Sequence, residues 1–175
     1  MKENTPFGRM GDTLVLPDED TQCEMYERAC DLLEQNGYHR YEISNFAKVG
    51  LESRHNLRYW NCDEYLGLGP AAHSFVNGVR YSYPRDILSY ITALEQGSIP
   101  QTDSSISLSP DEMKSESIML GLRLAKGIIA DNEMLKKCSN YLRYGFMEQK
   151  GDRVAFTTKG FLVSNTILAD LLENI

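Results

Sequence analysis

The dipeptide Asn77-Gly78 constrains this chain more than any other pair of residues in it. Both residues tolerate positive φ, and they stand between Ser74-Phe75-Val76 and Val79-Arg80-Tyr81. The pattern predicts two antiparallel strands joined by a type I′ turn, which excludes an uninterrupted parallel sheet. Ahead of it, Pro17-Asp18-Glu19-Asp20 offers an N-cap and acidic first-turn residues for a helix. Met25, Tyr26, Ala29, Leu32 and Leu33 continue it as an apolar stripe, and Asn36-Gly37 stops it. Tyr38 to Ile43 then alternates two chemistries residue by residue and reads as a strand packed on that helix.

Ser44 to Arg54 is a polar loop, and Asn56 to Trp60 reads equally as a short strand or a turn. Tyr65 to Ser74 is small and apolar, with glycines that permit close backbone approach. Pro84-Arg85-Asp86 opens a helix whose Ile87, Leu88, Ile91 and Leu94 are expected to form its buried side, and Gly97 ends it. Gly97 to Ser109 has the composition of a connecting loop and divides the chain near residue 105. Beyond it, Ser109-Pro110-Asp111-Glu112 is a capping box for a helix reaching about Leu124. Asp131 starts another helix carrying Met134, Leu135 and Cys138. Phe146 to Thr157 reads as a hairpin around Gly151-Asp152, and a final helix holds Phe161, Leu168, Leu171 and Ile175. Residues 1–105 are thus expected to be α/β and residues 106–175 α+β, the latter in the element order of a winged helix.

Charge and cysteine usage narrow the function. The chain has 175 residues, 25 acidic against 18 basic, a net charge of -7 and 42% hydrophobic residues, an ordinary soluble composition. No apolar run is long enough for a membrane span and the start is polar, so a cytoplasmic protein is expected. Residues 1–100 hold 15 acids and 9 bases, and the remainder holds 10 and 9, which disfavours a nucleic-acid partner. Cys23, Cys30, Cys62 and Cys138 lie seven, thirty-two and seventy-six residues apart, without metal or cluster spacing.

No catalytic residue emerges: there is no G-x-S-x-G elbow, no Walker lysine and no dinucleotide glycine fingerprint. The carboxylate pairs Asp18/Asp20 and Asp63/Glu64 fit helix starts, and His39 fits a structural role. Lys136, Lys137 and Arg143 share their segment with Asp131 and Glu133, unlike a DNA-reading face. His55-Asn56-Leu57-Arg58-Tyr59-Trp60 crowds an imidazole, an amide and two amphipathic rings into six residues. Two readings stay open for it: a site for a flat ligand such as heme, or two core rings beside a capped loop histidine. Likewise Gly67 to His73 either approaches a cofactor through its backbone or packs tightly.

Tyr41-Glu42-Ile43-Ser44-Asn45-Phe46-Ala47, Arg54 to Trp60, and Tyr65-Leu66-Gly67-Leu68-Gly69 through His73-Ser74 resemble the oxygen-independent coproporphyrinogen III oxidase family. The complete His-Asn-x-x-Tyr-Trp motif resembles its heme-chaperone branch. The resemblance implies that His55 ligates heme iron, that Asn56, Tyr59 and Trp60 shape the pocket, and that Gly69, Ala71, Ala72 and His73 lie near an S-adenosylmethionine site in an intact protein. It implies the terminal portion of a partial (β/α) barrel with a helical extension over 1–105, then a winged-helix-like domain over 106–175. The family's C-x3-C-x2-C run is absent, so the [4Fe-4S] cluster and S-adenosylmethionine are expected only in the intact protein. The chain is expected to be its carboxy-terminal half, not catalytic alone. Expected partners are heme or porphyrin, the amino-terminal barrel half, or a second copy through an edge left open near residues 1–16 and 38–46. The alternatives are a fragment of a coproporphyrinogen III oxidase and a non-catalytic winged-helix interaction module.

Overall fold

A computed structural model describes residues 5–173. Thr5 caps a short helix, α1 (Pro6–Met10), and a 3-10 turn covers Gly11–Thr13. In α2 (Glu19–Gln35) the Asp18 carboxylate accepts from the Thr21 N–H at 2.7 Å, and Gly37 at φ 77° ends the helix. Its covered side is Cys23, Tyr26, Cys30 and Leu33, whereas Met25, Ala29 and Leu32 of the expected stripe face solvent.

The strand expected over 38–43 is cut to β1 (His39–Arg40), which pairs antiparallel with β2 (Phe46–Ala47). The Tyr41 N–H donates to the Asn45 carbonyl at 3.2 Å and turns the chain back. Its continuation is not left open: the Ile43 N–H donates to Arg123 at 2.9 Å and Tyr41 accepts from Ala125 at 3.0 Å. At Tyr41 and Ile43 the edge expected to be free is therefore paired from within the chain. Residues 1–4 of the other expected edge lie outside the described residues.

Asn56 to Trp60 is neither strand nor turn but most of a helix, α3 (Arg54–Trp60). The hairpin forms as β3 (His73–Val76) and β4 (Val79–Ser82), with Asn77 at φ 51° and Gly78 at φ 73°. The Asp86 carboxylate caps α4 (Ile87–Glu95) through the Leu88 and Ser89 N–H groups. The expected buried side of α4 is exposed at Ile87, Leu88, Ile91 and Leu94, because no described element packs against it. The expected connecting loop also holds a strand, β5 (Ser104–Ser107), which joins the hairpin as β3-β4-β5 with Arg80 opposite Ile106. A division at residue 105 thus falls inside a paired strand.

The capping box closes around α5 (Pro110–Gly121): Ser109 N donates to Glu112 Oε2 at 2.8 Å, and Glu112 N to Ser109 Oγ at 3.3 Å. Then come β6 (Ile128–Ile129), α6 (Asn132–Arg143) capped by Asp131, and the hairpin β7 (Met147–Lys150) and β8 (Arg153–Phe156). These strands form an antiparallel sheet in the order β6-β8-β7. The expected single last helix is two, α7 (Thr158–Leu162) and α8 (Ser164–Leu172), broken at Val163 (φ -116°, ψ 17°). Ile175 lies outside the described residues. The core lies here: Leu122, Cys138, Val154, Phe156 and Leu171 are among its fully covered side chains, and of the described hydrophobic residues of the first half Ile43 packs against it. No described helix is long and apolar enough to cross a membrane.

Two glycines of this unit differ in a way that can be measured. A β-carbon on Gly127 (φ +62°) would lie 1.8 Å from the Val154 carbonyl oxygen, while one on Gly145 (φ +73°) meets nothing within 4 Å. Gly145→Ala is expected to cost about 1–2 kcal/mol from positive φ alone, and Gly127→Ala distinctly more, because backbone cannot move aside as a side chain can. Denaturant midpoints measure both, and equal losses would contradict the argument.

The alkaline limit of stability has an assignable contributor. The Tyr141 hydroxyl donates to Asp170 at 2.6 Å, and that bond, with burial second, pushes its pKa up to about 12. A raised folded pKa stabilises fully below the unfolded value near 10 and is lost as pH climbs through about 12. Tyr141→Phe should flatten the fall in stability across that window, measured by urea denaturation at stepped pH.

Candidate functional site

α3 starts where the Ser53 hydroxyl accepts from the Asn56 N–H at 3.3 Å, and ends where Cys62, at φ 57°, donates its N–H to the Tyr59 carbonyl at 3.1 Å. On a helix His55/Tyr59 and Asn56/Trp60 are two adjacent i, i+4 pairs within an arc of about 140°. A strand would send the two pairs to opposite faces. Helical folding is thus what brings the four motif residues to one side.

The rings then continue outward from the motif. His55 is exposed and meets Tyr59 edge-on, with centroids 4.9 Å apart and planes at 87°. Tyr59, 39% exposed, meets Tyr65 at 4.7 Å and 70°, and Tyr65 lies 6.5 Å from Phe75. Tyr65 and Phe75 also exchange two backbone hydrogen bonds, both 2.9 Å, so the series is tied to β3. The Arg80 guanidinium lies 5.1 Å over Phe75 and makes a two-pronged pair with Glu116 of α5 at 2.9 and 3.0 Å. That bond raises the Arg80 pKa further. Trp60 is half-buried, with the Arg123 guanidinium 6.0 Å over its ring, and Lys126 Nζ donates to Asn61 Oδ1 at 2.8 Å. Neither Tyr59 nor Trp60 is a core residue.

The glycine-rich turn shows what its small residues do. A β-carbon on Gly67 would lie 2.2 Å from the His73 carbonyl oxygen, so close packing requires glycine there. Gly69 and Ala71 take positive φ, 110° and 60°. The N–H groups of Gly69, Ala71 and Ala72 donate to the Tyr90 hydroxyl, Pro84 and Gly69 respectively, and Ala72 accepts from Tyr83. Their N–H groups are spent inside the protein, while the His73 imidazole is exposed. This turn and α3 meet through the Tyr65–Phe75 pairing. His39 stands apart, its Nδ1 2.6 Å from Glu34.

Sequence reasoning missed Tyr65, Phe75, Arg123 and Lys126. The first two had a signal in the Ser53 cap, because a helix there projects Tyr59 toward whatever follows the turn. The other two come from the far side of the residue-105 division and had none. Chemically, one exposed imidazole at the end of a ring series can ligate a metal carried by a flat molecule. Among the described residues no group of three or more His, Cys, Asp or Glu side chains is placed to hold a metal ion. All four cysteines are free and dispersed, and burial pushes Cys138 up to about 11. This donor set does not fit an iron–sulfur cluster.

No family model matches the chain. It is 35% identical over 173 residues to the heme chaperone HemW of Lactococcus lactis, covering 91% of this chain and 44% of that protein. It is 38% identical over 115 residues to the heme chaperone HemW of Bacillus subtilis (66% and 30%). Mouse mitochondrial radical S-adenosyl methionine domain-containing protein 1 is 34% identical over 127 residues (66% and 28%). Among solved structures, coproporphyrinogen III oxidase (HemN) of Escherichia coli, a radical SAM enzyme, superposes with a TM-score of 0.62 at 15% identity, over 91% of this chain and 43% of that one. That likeness shows a shared fold of mixed helices and sheets. The chain spans less than half the length of these relatives, and what it matches is their carboxy-terminal part. The identity to the bacterial chaperones places the chain with the HemW-type proteins, over the carboxy-terminal part of those relatives.

Proposed function

We propose that this chain is the heme-binding, carboxy-terminal portion of a cytoplasmic heme-trafficking protein, in which His55 ligates the iron and Asn56, Tyr59 and Trp60 shape the seat. The observation that carries this reading is the placement of all four on one side of α3, with the imidazole exposed at the head of the Tyr59–Tyr65–Phe75 series. Heme is cargo here. A neutral imidazole nitrogen donates its lone pair to the iron, and the neighbouring ring edges and faces cover part of the macrocycle. Tyr59 fixes the imidazole edge-on, which limits the rotation that ligation must otherwise freeze out.

The rest of an intact protein fits around this portion. S-adenosylmethionine would lie near Gly69, Ala71, Ala72 and His73, and it is the exposed His73 side chain, rather than the committed N–H groups, that is available to it. The [4Fe-4S] cluster would be held by cysteines of an amino-terminal barrel half. The apolar side of α4, exposed at Leu88 and Ile91, is the surface on which that half, or a second copy of this chain, would pack. Helices α5 and α6, the short β6 and the β7–β8 hairpin support a winged-helix-like reading of the carboxy-terminal unit.

Hemin titration followed by visible absorption tests the assignment. The parent chain is expected to give a shifted Soret band with saturable binding. His55→Ala is expected to lose that shift and at least about tenfold in affinity, equivalent to about 1.4 kcal/mol. An unchanged band position and affinity in His55→Ala would remove His55 from the role.

A further inference from the structure

Immediately beyond α3, between Trp60 and Asn61 on one side and the α5–β6 turn on the other, lies a cleft of about 300 Å³. Its lining includes the cations Lys126 and Arg153 and no carboxylate. That is unusual in a chain of net charge -7: each of four other clefts of the molecule carries at least two acids. A concave surface of one sign concentrates ions of the other. The cations are held in place. Arg153 donates Nε to the Lys126 carbonyl at 2.9 Å and Nη2 to the Gly127 carbonyl at 2.6 Å. Its other guanidinium N–H groups have no acceptor among the described residues. Lys126 is exposed and is drawn toward α3 by its bond to Asn61. The floor is apolar at Ile118, Leu124 and Ile128, and the indole of Trp60 forms a wall.

We propose that this cleft receives the carboxylate-bearing edge of a porphyrin, with Lys126 and Arg153 pairing with its two propionates and Trp60 lying against the ring. The inference rests on the heme reading given above and adds to it the residues that orient the macrocycle. His55 and Trp60 are five residues apart on α3, about 7.5 Å along its axis, so the helix side that begins at the metal ligand ends at the cations. A macrocycle laid along it can set its central iron at His55 and its acid-bearing edge at the cations. Two charge-assisted pairs at one edge would distinguish the two ends of an otherwise nearly symmetric ring.

Trp60 is the only tryptophan of the chain, so its fluorescence reports this cleft alone. The probes are metal-free protoporphyrin IX, which cannot use His55, and its dimethyl ester, which lacks the carboxylates. Protoporphyrin IX is expected to quench Trp60 saturably. Lys126→Glu should weaken that binding about tenfold, as expected when a charge-assisted contact is replaced by repulsion, and should leave the ester unaffected. Asn61→Ala removes the Lys126 hydrogen bond without changing charge and should cost less protoporphyrin affinity than Lys126→Glu, which separates the charge contact from the positioning of Lys126; an Asn61→Ala loss as large as that of Lys126→Glu would overturn the proposal. Equal protoporphyrin affinities for the parent and Lys126→Glu, or an equal loss with the ester, would overturn the proposal. Hemin titration of the same variants keeps the two readings apart. Lys126→Glu should retain the Soret position set by His55, whereas His55→Ala should retain the protoporphyrin quench. Loss of the His55 effect alone sinks the iron assignment and leaves the cleft standing.

Discussion

A short backbone crossing ties the first half of the chain to the carboxy-terminal core: Tyr41 to Ile43 pairs with Arg123 to Ala125 through bonds of 2.9 and 3.0 Å. Nearly all of the covered apolar volume lies on the carboxy-terminal side of this crossing, so the first half is held largely by such joints and not by a core of its own. Glu42 sits at the centre, 1% exposed and bridged to Leu124, with the Asn45 side-chain amide donating to its carboxylate. A carboxylate so far from water is tolerated only where it is hydrogen-bonded. Arg40 makes a second joint: its Nη atoms reach Tyr26 at 3.2 Å and Thr158 at 3.3 Å, and its guanidinium lies 4.4 Å over Phe161.

A third joint reaches the site itself. Arg80 of the hairpin is locked to Glu116 of α5 by two bonds, with Phe75 beneath the guanidinium. Two parallel N–H to carboxylate bonds fix orientation as well as distance. Phe75 holds Tyr65, and Tyr65 supports Tyr59, so the orientation of an exposed histidine on a seven-residue helix is traceable to an ion pair on another element. A helix of two turns has little stability of its own, and α3 keeps its shape through these contacts and the Arg123–Trp60 stacking.

What the sequence disclosed followed the range of the interactions involved. The Asn77-Gly78 turn, the Ser109 capping box, the Asp131 cap and the β7–β8 hairpin are decided within a few residues, and each was legible. The errors arise where a distant partner decides. The period of α4 predicts a buried stripe, yet period says only that a helix has an apolar side, and nothing described covers that side. The alternation from Tyr38 predicts a longer strand than forms, because alternation does not reveal a turn closed by Tyr41 and Asn45. Ser104 to Ser107 has the composition of a loop but lies beside β4, where an open edge recruits whatever chain passes. For the candidate site, the residue types were legible and the geometry was not. His55, Asn56, Tyr59 and Trp60 could be named, but their sharing of one side needed the helix, and the cations nearby come from residues more than sixty positions later.

In the proposed carrier role, cargo must be held and still released. A buried site of high complementarity slows dissociation, since most affinity differences between related sites lie in the off-rate. On this chain the proposed ligand atom is exposed, the supporting rings meet edge to face instead of closing over it, and the cationic cleft is open to solvent on the Lys126 side. Each group is firmly placed by its neighbours, which lowers the ordering cost of binding, but among the described residues none forms a lid. Firm placement with an open face gives recognition without entrapment. In an intact protein, whatever covers the apolar side of α4 would then be free to control access without rebuilding the seat, because the seat is anchored to the carboxy-terminal core and not to that surface.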